Sequence, residues 1–295
     1  MEVFSYFCDN TLLSEINIVG THDSATAFVS YENLSRCQDK TVAEQLSMGV
    51  RLLDIRLGRR GSEFYLVHAV ANCYTDSTKT KKLSFDEILS LCKEFLSENP
   101  EETLILSIKQ DRGIQSKKFF ERFYNKYIKG DEKSWYLENK IPDLGSCRGK
   151  LVLMRRCKIK KQFGKRFSCG LDFSYWKDQK KDKGKGALEV KLNKTQSAFV
   201  QDRYALEKTE KWYKSAKPFL DNCKTDENTV AVHFLSTSVR EVTLVPIAEF
   251  LNNLFMEYEI PEDRAVGWIL VDFPTGELCK KIINSNHRIN IGEEV

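Results

Sequence analysis

Hydrophobic positions come in short, nearly unbroken runs rich in Val, Ile and Leu, and helical spacing fills most of the gaps between them. "EINIVG" (15–20), "VRLLDIRLG" (50–58), "FYLVHA" (64–69), "TLILSIK" (103–109), "GKLVLMRR" (149–156), "SAFVQD" (197–202), "TVAVHFLS" (229–236) and "AVGWILVDF" (265–273) read as eight strands. Runs without polar alternation suit strands buried on both faces, as in a parallel sheet. Helices are predicted over 42–49, 83–100, 116–130, 204–222 and 243–258. The second has a capping box, Ser84 with Glu87, and Pro100 just past its end; the third closes at Gly130. This alternation predicts an α/β fold, a TIM-type (βα)8 barrel. Two links break the pattern. The second and third strands are joined by a short turn, "GRRGSE", and residues 157–196 are long, basic and poorly periodic. The barrel is therefore expected to be distorted or incomplete.

Length alone allows about two domains. With no linker and no internal repeat, the whole chain, 1–295, is read as one catalytic barrel domain. No run approaches the roughly 20 apolar residues of a membrane span. The N-terminal "MEVFSYFCDNTLLSE" lacks the basic and apolar regions of a signal peptide, so a cytoplasmic place is expected, or a secreted one if a presequence has been removed. The nine cysteines are odd in number, irregularly spaced and without a C-x-x-C pair. That argues against a zinc ribbon or a disulfide scaffold and for free thiols in a reducing cytoplasm. The net charge of +4 is mild, but Lys and Arg crowd residues 155–185. Such a segment is either a solvated loop or a surface for phosphate or acidic lipid.

The polar residues fall where a barrel places its chemistry, at the carboxyl ends of the strands. His22 and Asp23 follow the first strand, Asp54 and Arg56 end the second, and His68 ends the third. Lys109 ends the fourth, Arg155 and Arg156 the fifth, Asp202 and Tyr204 follow the sixth, and Asp272 ends the eighth. Taken singly, each has an ordinary structural use. Asp23 fits a helix cap, Asp54 with Arg56 a salt bridge, His68 a half-buried core histidine. Together they put two of the chain's four histidines, several carboxylates and several cations on one rim. Phosphate chemistry uses that mixture: an acid and a base near neutral pKa, and fixed cations for the phosphoryl charge. A metal is the competing use. There is no H-x-H or H-x-x-x-H pair, and Arg56 and Lys109 would repel a cation.

At these residues the sequence resembles the phosphatidylinositol-specific phospholipase C family in its small, single-domain bacterial, X-domain-like form. "NIVGTHDSAT", "GVRLLDIRL", "LVHA", "ENPEETLILSIKQD", "RGKLVLMRR", "AFVQDRY" and "VGWILVD" carry the likeness, in family order, across roughly 15–275. The resemblance implies cleavage of an inositol phosphodiester by attack of the 2-hydroxyl, giving diacylglycerol and inositol 1,2-cyclic phosphate. It makes His22 the general base, Asp272 its partner, His68 the general acid and Asp23 the partner of His68. Arg56 would stabilise charge on the phosphate and Asp54 orient the site. Lys109, Arg156, Asp202 and Tyr204 would hold the inositol ring. A guanidinium at Arg56 looks like the metal-independent variant, so no metal and no cofactor is expected. One departure is "HAVANC", where typical bacterial members have a glycine soon after the acid histidine.

The expected partners are phosphatidylinositol or a related inositol phospholipid and, transiently, a membrane surface. Nucleic acid is not expected, and the chain is read as a monomer. "LSRCQDKTVAEQL" offers no tryptophan for the interface, so the basic 155–185 segment is expected to supply attraction instead. Two other readings stand beside this one. A metal-dependent glycerophosphodiester phosphodiesterase would share the architecture but begins with His-Arg-Gly, where this chain has "THDSA". A non-catalytic binder of inositol phosphates or lipid headgroups would need the cations but not the histidine pair.

Overall fold

The computed structural model describes residues 1–113, 116–159, 169–180, 187–238 and 243–290. Twelve strands are found among them: β1 (Ile18–Thr21), β2 (Leu52–Arg60), β3 (Glu63–His68), β4 (Ala71–Asn72), β5 (Leu104–Gln110), β6 (Trp135–Tyr136), β7 (Leu151–Arg155), β8 (Leu171–Asp172), β9 (Leu188–Lys191), β10 (Ser197–Gln201), β11 (Thr229–Phe234) and β12 (Trp268–Val271). They form one curled sheet in the order β6-β7-β5-β2-β1-β12-β11-β10-β9. Along this order every pairing from β6 to β10 is parallel, and β9 at the end runs antiparallel on β10. All four residues of β1 and of β12 are buried, as unbroken apolar runs require when both faces are covered.

The expectation of a distorted or incomplete barrel is met, but one of the eight expected strands is placed elsewhere. β3 pairs antiparallel with β2, Leu57 opposite Leu66 and Arg60 opposite Glu63. The cause is the short turn at Gly61, which takes φ 62°. A turn this tight can only return the chain antiparallel, whereas a parallel neighbour needs a long crossover. β3 then pairs β4 and forms a flap outside the wall. The free edge of β7 is taken instead by β6 and β8.

The wall stays open between β6/β8 at one end of the sheet and β9/β10 at the other, and side-chain amides span the gap. Asn139 donates to the Leu192 carbonyl (2.5 Å), and Asn193 donates to the Asn139 carbonyl (2.7 Å). Gln196 accepts from the Ile141 amide (2.9 Å). Gln179 donates to the Val200 carbonyl (3.2 Å) and accepts from the Asp202 amide (2.5 Å). These satisfy backbone groups that a closed ladder would have paired.

Helices pack outside. Phe85–Glu98 starts with the expected Ser84–Glu87 capping box and buries Phe85, Ile88, Leu89, Cys92 and Leu96 on one face. Lys117–Tyr127 adds Phe119, Phe123 and Tyr127 to an aromatic cluster with Phe64 and Phe85. The expected helix 204–222 begins later, at Lys208, and includes a π-helical stretch, Lys211–Ala216. A C-terminal helix, Gly276–Asn290, which the sequence reading left out, covers the outside of β1; its Asn286 bonds both the amide and the carbonyl of Asn17. Arg155 turns to the outside of the wall, onto Asp172 (2.9 Å) and the Phe120 ring, and takes no place in the cavity. Of the basic segment 155–185, residues 160–168 and 181–185 lie outside the described residues.

Candidate active site

A cavity of about 370 Å³ opens at the carboxyl ends of the parallel strands. His22, Arg56, His68, Lys109, Arg156, Asp202, Tyr204 and Asp272 all line it. Asp23 and Asp54 do not: they lie just behind, 2 % and 1 % exposed, and act on the cavity through the groups in front of them.

β1 and β12 are neighbours in register, Thr21 opposite Val271, so the next residues on each strand, His22 and Asp272, meet although 250 positions apart. His22 Nδ1 is 2.8 Å from Asp272 Oδ1. That nitrogen therefore carries the proton, and Nε2 presents a lone pair. Burial pulls the imidazole pKa down and Arg56 adds to this, but Asp272 and Asp23 outweigh both, so His22 titrates above its ordinary value.

His68 faces His22 edge-on, ring centroids 6.2 Å apart. Its Nδ1 is 2.9 Å from the Ser35 carbonyl, which fixes a proton there, and its Nε2 is 3.4 Å from Asp23 Oδ2. The same oxygen is 3.2 Å from His22 Nε2 and 3.0 Å from Arg56 Nη1. None of these contacts has the angles of a hydrogen bond, so Asp23 Oδ2 is a buried oxygen with charged and polar neighbours but no hydrogen-bond partner. Asp23 was expected to serve His68; the structure places it between both histidines and the arginine.

Arg56 Nε donates to Asp54 Oδ2 (3.0 Å), and Arg156 Nη1 donates to Asp54 Oδ1 (3.1 Å). Asp54 thus orients two guanidinium groups. Burial would raise its carboxyl, but Arg56 and Arg156 hold it well below the usual carboxylate range. Arg156 also stacks on Trp176, 3.7 Å from the ring centroid. Lys109 pairs with Asp111 at 2.8 Å. Burial, with Arg56 and Arg156, pulls that ammonium below its ordinary value against Asp111. Burial pushes the Asp202 carboxyl up, against Arg156 and Lys211. Tyr204 donates its hydroxyl to Asp178 (3.0 Å).

Three non-glycine residues beside this machinery take left-handed backbone: Asp23 (φ 45°), Ala69 (φ 49°) and Phe273 (φ 48°). Such strain persists only where neighbours hold it. The Ala69 amide is held by Asp111 (2.7 Å) and the Phe273 amide by the Cys37 carbonyl (3.0 Å). Ala69 is the position after His68 in "HAVANC", so an alanine here adopts the conformation that a glycine takes more easily.

Cys37, Asp111, Trp176, Lys177, Asp178, Ser236 and Leu244 also line the cavity and were not singled out from the sequence. Asp111 alone had a signal, as the acid that ends "ENPEETLILSIKQD". Lys211 was missed as well: its ammonium is fully buried behind Asp202, donating to Gln201 (2.7 Å) and the Arg203 carbonyl (3.1 Å), and burial lowers its pKa to about 7. The other two histidines take no part. His233 is buried with Nε2 2.6 Å from the Val266 carbonyl, and His287 packs on Tyr6.

Residues 16–157 match the family described as phosphatidylinositol-specific phospholipase C, X domain. The chain is 28 % identical to the 1-phosphatidylinositol phosphodiesterase of Staphylococcus aureus strain Newman, over 94 % of this chain and 91 % of that protein. It is 24 % identical to the protein of the same name from Listeria monocytogenes, over 94 % and 82 %. Among solved structures, the S. aureus phosphatidylinositol-specific phospholipase C superposes with a TM-score of 0.75 at 24 % identity, covering 96 % of each chain. The Listeria enzyme gives 0.69 at 22 % identity, covering 96 % of this chain and 97 % of that one. These superpositions establish the barrel fold.

Proposed function

Because the chain belongs to the phosphatidylinositol-specific phospholipase C family, we propose that it cleaves phosphatidylinositol to diacylglycerol and inositol 1,2-cyclic phosphate, without a metal ion. The observation that carries the mechanism is the pair of histidines facing each other across one cavity, each with its Nδ1 committed to a partner, His22 to a carboxylate and His68 to a carbonyl, and with Arg56 beside both.

His22 Nε2 takes the proton from the inositol 2-hydroxyl. The freed oxygen attacks phosphorus, and the bond from phosphorus to the glycerol oxygen breaks. His68 Nε2 donates its proton to that leaving oxygen. Asp272 stabilises the imidazolium formed at His22, and Asp23, 3.4 Å from His68 Nε2, is the carboxylate partner of His68. Arg56 bonds the phosphate oxygens as their charge grows. The nucleophile is part of the substrate, so proximity is built in. Lys109, Arg156, Asp202 and Tyr204 bind ring hydroxyls or stack on the ring. The metal-independent reading is supported by Arg56, whose guanidinium already pairs with both carboxylates, Asp23 and Asp54, that a cation would need.

Membrane contact is supported by apolar side chains at the mouth. Tyr31 (68 % exposed), Leu34 (65 %), Val70 (79 %) and Tyr175 (68 %) come from three separate segments. Leu34 lines the cavity, and so do the chain neighbours Ala69 of Val70 and Trp176 of Tyr175. Exposed aromatic and aliphatic groups around a lipid-cleaving cavity suit an interface. They are tyrosines and aliphatics, with Leu34 the one that belongs to the tryptophan-free stretch "LSRCQDKTVAEQL". A reducing compartment, the cytoplasm, is proposed on the nine unpaired thiols, eight of them buried.

The test is phosphorus NMR of phosphatidylinositol in mixed micelles containing a chelator. Inositol 1,2-cyclic phosphate is expected as the first product. Turnover that needs added metal would favour the glycerophosphodiester-type enzyme, and no turnover with retained headgroup binding would favour a binding module.

A further inference from the structure

Cys37 stands beside the two histidines and has no part in the mechanism above. It is fully buried from solvent yet lines the cavity. Its amide donates to the Thr26 hydroxyl (3.0 Å), and its carbonyl accepts from the Phe273 amide (3.0 Å), so its backbone is held in place, with Sγ 3.8 Å from the Ser35 carbonyl. Sγ is 3.9 Å from His68 Nδ1. One ligand atom from each of His22, Asp23 and Cys37 lies within 4.8 Å of the others.

We propose that His22, Asp23 and Cys37 form an inhibitory site for a soft divalent cation of the zinc type. The donor set is one imidazole nitrogen, one carboxylate oxygen and one thiolate, which leaves a fourth position open to water or a phosphate oxygen. Zinc bonds of about 2.0–2.3 Å in tetrahedral geometry place ligand atoms roughly 3.3–3.6 Å apart. His22 Nε2 and Asp23 Oδ2, at 3.2 Å, already have that spacing. Two further observations point to a cation. Asp23 Oδ2 is buried and takes no aligned hydrogen bond. His22 also gives its second nitrogen to Asp272 at 2.8 Å, the carboxylate–histidine support that metal-binding histidines recurrently have.

Arg56, 3.0 Å from the same carboxylate oxygen, opposes any cation here. Calcium and magnesium, which bind through about six to eight and about six oxygens respectively, gain too little from this set to overcome it. A thiophilic ion gains a thiolate bond, so the site selects by softness. Binding takes the lone pair of His22 Nε2, which is why it inhibits; that consequence rests on His22 being the general base.

The test has two arms on the intact chain. Cobalt(II) is expected to give a thiolate-to-cobalt charge-transfer band in the wild type. Cys37→Ser and Cys37→Ala should lose the part of it owed to this site, the other eight cysteines being unchanged. In the micelle assay with buffered free zinc, both variants should turn over in chelator and need at least about 10–100-fold more zinc for half inhibition. Calcium and magnesium should not inhibit either protein. The same cobalt spectrum and zinc sensitivity in the wild type and both variants would overturn the proposal, as would a wild type indifferent to zinc. If the chain did not cleave phosphatidylinositol at all, the cobalt arm would still decide the site.

Discussion

Two largely enclosed arginines stand five residues apart along one strand. Arg51, just before β2, pairs with Glu102 at 2.5 Å, donates to the carbonyls of Leu46, Val50 and Met1, and lies over the Phe95 ring. Glu102 in turn accepts the amides of Val3 and Phe4. Every part of that pair is used, and it fastens the N-terminal segment under the barrel. Arg56, at the middle of β2, donates Nε to Asp54 and sets Nη1 against Asp23. Its Nη2 takes no partner among the described residues, and its guanidinium lines the cavity. The same chemistry is saturated where it holds the fold and left one donor short where a phosphate is to bind. Buried ion pairs add little net stability, so what separates the two is which donors remain free.

The comparison can be broken by substitution. The largest effect is expected from His22→Ala, which should reduce turnover by about 10²–10⁴-fold or more with an unchanged cooperative melt, read by micelle assay and calorimetry. Arg51→Leu leaves Glu102 buried and unpaired. It should cost about 3–5 kcal/mol in denaturant unfolding, while the fraction still folded turns over normally. Arg56→Lys keeps the charge but loses the forked geometry. It should slow turnover by about 10²–10³-fold and shift unfolding less than Arg51→Leu does. If Arg56→Lys instead unfolded the chain as readily and spared turnover, the distinction between the two arginines would fail. Smallest of all, Val70→Ser and Tyr175→Ser should each weaken vesicle binding by about tenfold, measured by sedimentation, and leave a soluble inositol phosphodiester substrate unaffected.

The wall of the barrel was legible because a strand buried on both faces must be apolar throughout, and β1, β5, β11 and β12 read that way. The Ser84–Glu87 box was legible because its signal is local. The antiparallel course of β3 was hinted at only by its short turn. Sequence position made His22 and Asp272 rim candidates; the register of β1 against β12 makes them a pair. Trp176, Asp178 and Lys177 were hidden because their segment has no period to read. Asp111 had a signal as the last acid of its motif, but its partner, the amide of Ala69, comes from a different loop and shows only in the fold. Cys37 was read with the other cysteines as a free thiol, and only the fold sets it against the histidines.

The most direct test of the account is the pH dependence of kcat/KM for the wild type and Asp272→Asn. His22 must be neutral to act as base, so activity falls as pH drops through its pKa. Asp272 and Asp23 raise that pKa in the folded chain, which puts the acid limb of the wild type above the ordinary imidazole value of about 6.5. Asp272→Asn removes the stronger raising group. The limb should move to lower pH while the plateau drops by up to about 10⁴-fold. An acid limb that stays where it was in Asp272→Asn would contradict the assignment of His22, oriented by Asp272, as the base.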